Sequence, residues 1–201
     1  MKIVLAVSAV AAFGLFVAWV VAYSRRKEAE IAAAWMDFAR RGGYRWSAAS
    51  GPWYSRKSSR VAGEHAGIAF ELDRYVVSTG KHRVVHSRAR ARPTRPLLAR
   101  VVALRRSWGA RFATWGRGTI TTVGDTAFDQ HMLVRCASQS SARAVLDDRV
   151  RKLLPAFARS PYFEAAGSDI TLCWRGEERD ASVLSAAVEI VVHAANALTR
   201  K

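Results

Sequence analysis

The run IVLAVSAVAAFGLFVAWVVAY, Ile3 to Tyr23, carries no charged residue, and no other stretch of the chain limits its fate so tightly. Coiled as a helix it reaches about 30 Å at ~1.5 Å per residue, the thickness of a bilayer's hydrocarbon core. A secretory leader would have a shorter apolar stretch, roughly 7–15 residues, and a small-residue cleavage site. Here the run closes in VAYSRRK without an A-x-A pattern, and Trp19 and Tyr23 stand near its end, where aromatic rings favour the membrane interface. The expectation is a retained, single-pass transmembrane anchor over residues 1–24. Arg25, Arg26 and Lys27 follow the span and outnumber Lys2 before it, so the positive-inside bias places the C-terminal domain in the cytoplasm.

Beyond the anchor, RRKEAEIAAAWMDFARRGG continues as helix over residues 25–42. Ile31, Trp35 and Phe38 recur at helical spacing, and Gly42–Gly43 stops it. Residues 43–201 leave room for one domain, and with 50% hydrophobic residues in the chain a real core is expected. A loop rich in Gly, Ser and Pro comes first, around SAASGPWYSRKSSR. In GIAFELDRYVV, Ile68, Phe70 and Leu72 alternate with Glu71, Asp73 and Tyr75, the period of a half-buried strand. STGK supplies a hairpin turn and HRVVHSRARAR the return strand. With Thr79–Gly80 as the loop, Glu71 falls opposite Arg88 and Asp73 opposite His86. LLARVVALRR, HMLVRCAS and DITLCWRG read as further strands. SARAVLDDRVRKLLPAFAR reads as one amphipathic helix capped by Ser140 or Ser141, with Leu146, Val150, Leu153, Leu154 and Phe157 inward. The last helix begins after Asp180 and turns Leu184, Ala187, Val188, Val191, Val192, Ala195 and Leu198 to the core. This order predicts an α+β domain: an antiparallel sheet with helices packed on one face.

Charge narrows the choice of partner. Lys and Arg number 32 against 16 Asp and Glu, a net charge of +16, nearly all of it beyond the anchor. Such an imbalance favours anionic surfaces, lipid head groups or nucleic acid. No acid occurs between Asp73 and Asp125, a stretch that holds Arg88, Arg90 and Arg92 on one face of one strand and Arg100 on the next. These four arginines form a candidate anion-binding face for anionic lipid or an acidic protein. Nucleic acid is the weaker candidate, because no reading helix, zinc finger or aromatic RNA-binding motif accompanies the charge.

Catalytic patterns are sparse. There is no HExxH, no CxxC pair, no Gly-rich phosphate loop and no G-x-S-x-G elbow, so neither a metal nor another cofactor is expected. Cys136 and Cys173 lie in apolar, strand-like runs and read as buried free thiols. His82 and His86 are some 13 Å apart along a strand, too far to share a metal. Glu189 and His193 form an i,i+4 pair on the polar side of the last helix. The one acid–imidazole cluster is in VGDTAFDQHMLV, where Asp125, Asp129 and His131 stand close in sequence. A hydrolase could use them if the three converge. The competing reading is a turn before a strand, with Phe128 as its core anchor and Asp129 accepting backbone N–H groups.

The run GDTAFDQHMLVRCASQSSARAVLDDRVRKLL resembles a group of uncharacterised bacterial proteins, many with a membrane span. In these a G-D-x-x-F-D motif leads into a strand and an ARAVL…R..L helix follows. The preceding RVAGEHAGIAFELDRY is similar to their early hairpin. The resemblance extends loosely over residues 39–198 and is sharpest at Gly124, Asp125, Phe128 and Asp129, which it implies are structural. It implies fold and membrane tethering at a bacterial inner membrane, and no activity. The resulting expectation is a non-enzymatic, membrane-tethered binding or scaffold module. The alternatives are a membrane-associated hydrolase using Asp125, Asp129 and His131, and a membrane-anchored nucleic-acid binder.

Overall fold

The computed structural model describes residues 2–50, 58–79, 82–106 and 119–199, with side chains from Phe13 onward except at 79 and 82. The chain opens with one unbroken helix, α1 (Lys2–Gly42), followed by β1 (Arg45–Ser47), β2 (Arg60–His65), β3 (Ile68–Thr79), β4 (His82–Ala91), β5 (Leu97–Arg105) and β6 (Thr119–Thr121). Then come α2 (Thr126–His131), β7 (Met132–Cys136), α3 (Gln139–Val145), α4 (Asp148–Ala156), β8 (Tyr162–Gly167), β9 (Asp169–Arg175) and α5 (Ala181–Thr199). The strands form one antiparallel sheet in the order β1-β2-β3-β4-β9-β8-β5-β7-β6. An α+β domain with an antiparallel sheet is thus what the sequence folds into.

Period-two alternation carries through the whole sheet. Across β3, β4, β9, β8 and β5, Phe70, Ala91, Ile170, Ala165 and Val101 stand side by side. The next inward row is Leu72, Ala89, Leu172, Phe163, Ala103 and, on β7, Val134. Every residue of both rows is buried in the main core. Onto this face α5 packs across β3, β4 and β9, while α3 covers β5 and β7 and α4 lies against α5. Small residues in the rows, Ala89 and Ala91 above all, admit α5, whose Leu184, Ala187, Val188, Val191, Val192 and Ala195 are buried as its spacing predicts. Asp180 caps α5 by accepting the Ser182 N–H at 2.8 Å and the Ser182 hydroxyl at 2.7 Å.

The second half of α1 belongs to the same core. Ile31 and Trp35 are fully buried, Phe38 and Ala39 nearly so. Tyr44, just past the helix, stacks edge-on to Phe70 with ring centroids 4.7 Å apart, in contact with Phe38 at 5.7 Å. The first half behaves otherwise: from Phe13 to Glu30 every side chain is exposed. Among the described residues, α5 is long and apolar enough to cross a membrane by length and composition, and half of it is buried, as befits a core helix.

Several local expectations change. The β3–β4 register pairs Thr79 with His82, so Glu71 faces Arg90, Asp73 faces Arg88 and Tyr75 faces His86. The pairing is displaced by two residues from the expected one, a shift that keeps every side chain on its face. The single helix expected after β7 is two. α3 is capped by Ser138, whose hydroxyl accepts the Ser141 N–H, and Asp147 restarts the chain as the N-cap of α4. Leu146, Val150, Leu154 and Phe157 still reach the core, with Leu153 at its margin. The strands β1, β6 and β8 are additional to those expected, while β2 and β3 form the early hairpin read in RVAGEHAGIAFELDRY. Half of the Gly/Ser/Pro-rich loop, the hairpin loop at 80–81, and Arg111 and Arg117 of the stretch without acids lie outside the described residues.

Candidate functional site

The cluster Asp125, Asp129 and His131 is built around a helix start. Gly124 takes φ +84, a conformation open to glycine, and a Cβ there would strike the Arg143 guanidinium. Asp125 is the N-cap of α2: its Oδ1 accepts the Phe128 N–H at 3.1 Å, and its Oδ2 accepts Arg151 Nε at 3.1 Å. The Phe128 N–H, reinforced by the Arg151 guanidinium, holds the Asp125 carboxyl below the usual carboxylate range against the opposing effect of burial. Asp129 reaches back over the turn, Oδ1 accepting the Val123 N–H and Oδ2 the Gly124 N–H, each at 3.0 Å. Phe128 plugs the core at 2% exposure. All four carboxylate oxygens therefore have backbone or arginine partners, and His131 is exposed at the helix end. The two carboxylates are bonded to backbone N–H groups and Arg151, and among the described residues no hydrogen bond joins either of them to His131.

Among the described residues, no group of three His, Cys, Asp or Glu side chains is placed to hold a metal ion. A cavity of about 420 Å³ lies apart from the cluster, lined by Ser47, Ser50, Ser58, Arg60, Asp73 and Arg74. Cys136 and Cys173 are both buried free thiols. Burial pushes the Cys173 thiol up, away from reactivity.

The face of the sheet opposite the helices holds the four arginines singled out above. There Glu71, Arg90, Thr171 and Glu164 form one row, and Asp73, Arg88, Cys173 and Tyr162 the next. Arg88 grips Asp73 with two bonds, 2.8 Å from Nε and 2.5 Å from Nη2, and its guanidinium sits 4.8 Å over the Tyr75 ring. Arg90 bridges Glu71 and Asp73 at 3.2 and 3.3 Å. Arg100 bonds Glu164 at 2.6 Å and is about half exposed. Arg92 stands at the rim, 83% exposed and 3.8 Å from Asp169. This face is a lattice of alternating charge rather than a bare basic row.

A second polar centre had no sequence signature. The connection from β9 to α5, Gly176 to Asp180, clasps α1. Glu178, 4% exposed, accepts Arg159 Nε at 3.0 Å and the backbone N–H groups of Arg179 and Asp180 at 3.0 and 3.1 Å. Burial raises the Glu178 carboxyl, yet Arg159 and those N–H groups outweigh it and leave it below its ordinary value. The Glu178 carbonyl takes the Trp35 indole N–H at 2.8 Å. Beside it Glu177 pairs with Arg74 at 3.1 Å and Lys27 at 3.5 Å, and Arg179 pairs with Glu30 at 2.8 Å. In the sequence this is only GEERD, a charged loop, and Trp35 on a distant helix gives no hint of its partner.

No family model matches the chain, and no curated protein matches it in sequence. The fold is similar to the crystal structure of the mycobacterial trehalose monomycolate transport factor A, with a TM-score of 0.55 and 11% sequence identity, over 84% of this chain and 94% of that one. At that identity the likeness is one of fold.

Proposed function

We propose that this protein is a non-enzymatic, single-pass, membrane-tethered module, with residues 1–24 as its anchor and its domain on the cytoplasmic side of a bacterial inner membrane. One observation carries the reading. α1 is a single helix with opposite surfaces at its two ends. Phe13, Leu15, Phe16, Val17, Trp19, Val20, Val21 and Tyr23 are exposed in near-continuous succession, so apolar surface surrounds the axis, whereas Ile31 and Trp35 are sealed in the domain core. A helix apolar on every side and free of its own domain matches lipid as a solvent. The tether is stiff, because no break separates the span from the buried half. Arg25, Arg26 and Lys27 lie at the junction, in keeping with cytoplasmic orientation and attraction to anionic head groups of ~1 kcal/mol per basic residue. A transport factor as the fold neighbour is consistent with a membrane-related, non-catalytic role.

The anionic partner is lipid or an acidic protein. On the sheet face Arg92 and Arg100 are the more exposed contributors, while Arg88 and Arg90 are engaged by Asp73 and Glu71. Protease treatment of spheroplasts bearing the chain with a C-terminal tag tests the arrangement. The tag stays protected until lysis if the reading is right; digestion in intact spheroplasts overturns the orientation.

A further inference from the structure

The β3–β4 hairpin outgrows its sheet. β2 pairs with β3 only as far as Asp73, and β9 pairs with β4 only from His86 onward. Beyond those points Tyr75 to Thr79 and His82 to Val85 continue as a two-stranded ribbon, and among the described residues no strand lies on either edge, Val85 accepting only the Gly176 N–H at 2.9 Å. Such a ribbon is marginal in water by itself, and bare edges invite a partner. Its composition points the same way. Val76 faces Val85 and Val77 faces Val84, which puts one apolar pair on each face of the ribbon before the polar pairs Ser78–Arg83 and Thr79–His82 toward the tip. Val76 is 45% and Val77 39% exposed, and Arg83 is exposed nearer the tip.

The ribbon's direction relates it to the anchor. At one level Tyr44 and Phe38 of the α1 end pack at Phe70. At the next, Glu177 ties Arg74 of β3 to Lys27 of α1. Going from Phe70 to Arg74 along the strand therefore means going back along α1 toward its amino terminus. The strand continues five residues past Arg74, about 16 Å at ~3.3 Å per residue. The same distance along α1 from Lys27 is about eleven residues at ~1.5 Å, which reaches Phe16, beyond the Trp19–Tyr23 belt. We infer that the Val76–Val77 and Val84–Val85 ribbon enters the membrane interface beside α1, as a second contact between the domain and the bilayer. The occupant of the ribbon's valine-bearing faces is lipid. The inference rests on α1 being the membrane anchor, and it fixes the domain's tilt and rotation on the membrane, which a single helix by itself would not.

Site-directed spin labelling of the full chain in vesicles of phosphatidylcholine and phosphatidylglycerol tests this. The unsubstituted chain supplies the background from the two buried cysteines. Labels at Val77→Cys and Val84→Cys are compared with Leu15→Cys in the anchor and Met36→Cys on the exposed side of α1 in the domain. The expected result is a several-fold gain in collision with oxygen over a water-soluble nickel chelate at Val77→Cys and Val84→Cys, relative to Met36→Cys and approaching Leu15→Cys. Water-like values at both ribbon sites with a lipid-like Leu15→Cys would overturn the ribbon contact and leave the anchor standing. A water-like Leu15→Cys would instead remove the anchor and the inference together. Ribbon labels that are water-like in vesicles but shielded in native membranes would replace lipid with a protein partner.

Discussion

Replacing Asp129 with alanine removes both acceptors that organise the turn before α2. The Val123 N–H it leaves behind belongs to a residue 1% exposed, while Gly124 is open to solvent. The two bonds, 3.0 Å each, are therefore unequal in consequence. A hydrogen bond to a charged group contributes about 1.5–3 kcal/mol, and a buried orphan donor costs its full desolvation, whereas water replaces a partner at an exposed one. The expected loss is thus about 2–3 kcal/mol, most of it from the Val123 side. For a domain of this size that lowers the melting temperature by roughly 4–12 °C. Asp129→Asn keeps one acceptor oxygen but turns an amide NH₂ toward the other backbone N–H, so its melting point falls between those of Asp129→Ala and the parent. The assay is thermal unfolding of the full chain in detergent, followed by tryptophan fluorescence. An Asp129→Ala chain that melts with the parent would refute the structural role of the G-D-x-x-F-D unit and reopen the chemical one.

Trp35→Ala empties a fully buried site and removes the bond to the Glu178 carbonyl, so a loss of about 3–5 kcal/mol is expected, seen as faster protease cutting between α1 and the domain. Arg88→Gln breaks a two-bond grip on Asp73 in which both side chains are largely covered, 25% and 14% exposed, and lowers stability by about 1–2 kcal/mol in chemical denaturation. His193 is depressed by burial and then by Arg149, and His86 by burial and then by Arg175. The fold favours the neutral ring in both, so their contribution is full above the ordinary histidine value of about 6.5 and is lost as pH falls through the lower folded values. Melting temperatures from pH 8 to 5 should fall over the lower part of that range, and less steeply in His193→Gln.

The long elements were readable because periodicity alone decides them. α1 shows Ile31, Trp35 and Phe38 at helical spacing, α5 has its Asp180 cap, and β3 alternates from Ile68 to Leu72. The register of β3 on β4 was not readable, because moving it by two residues preserves both faces and exchanges one Glu–Arg pair for another. Asp147 looked like one more polar residue on a helix surface; only the backbone geometry reveals it as a cap. β8, YFEAAG, is short and half made of small residues, so its strand character comes from its neighbours β5 and β9. Asp125 and Asp129 were legible as turn acids, since aspartate beside a Gly-Asp pair commonly serves backbone donors. Glu178 and Trp35 were not, being 143 residues apart in the chain.

The anchor itself is tested most directly by extracting native membranes with alkaline carbonate and determining the amino terminus of what remains. If Ile3–Tyr23 spans the bilayer, the full-length chain stays in the pellet with its first residues intact. A soluble chain, or one that begins after Tyr23, would contradict a membrane-tethered module.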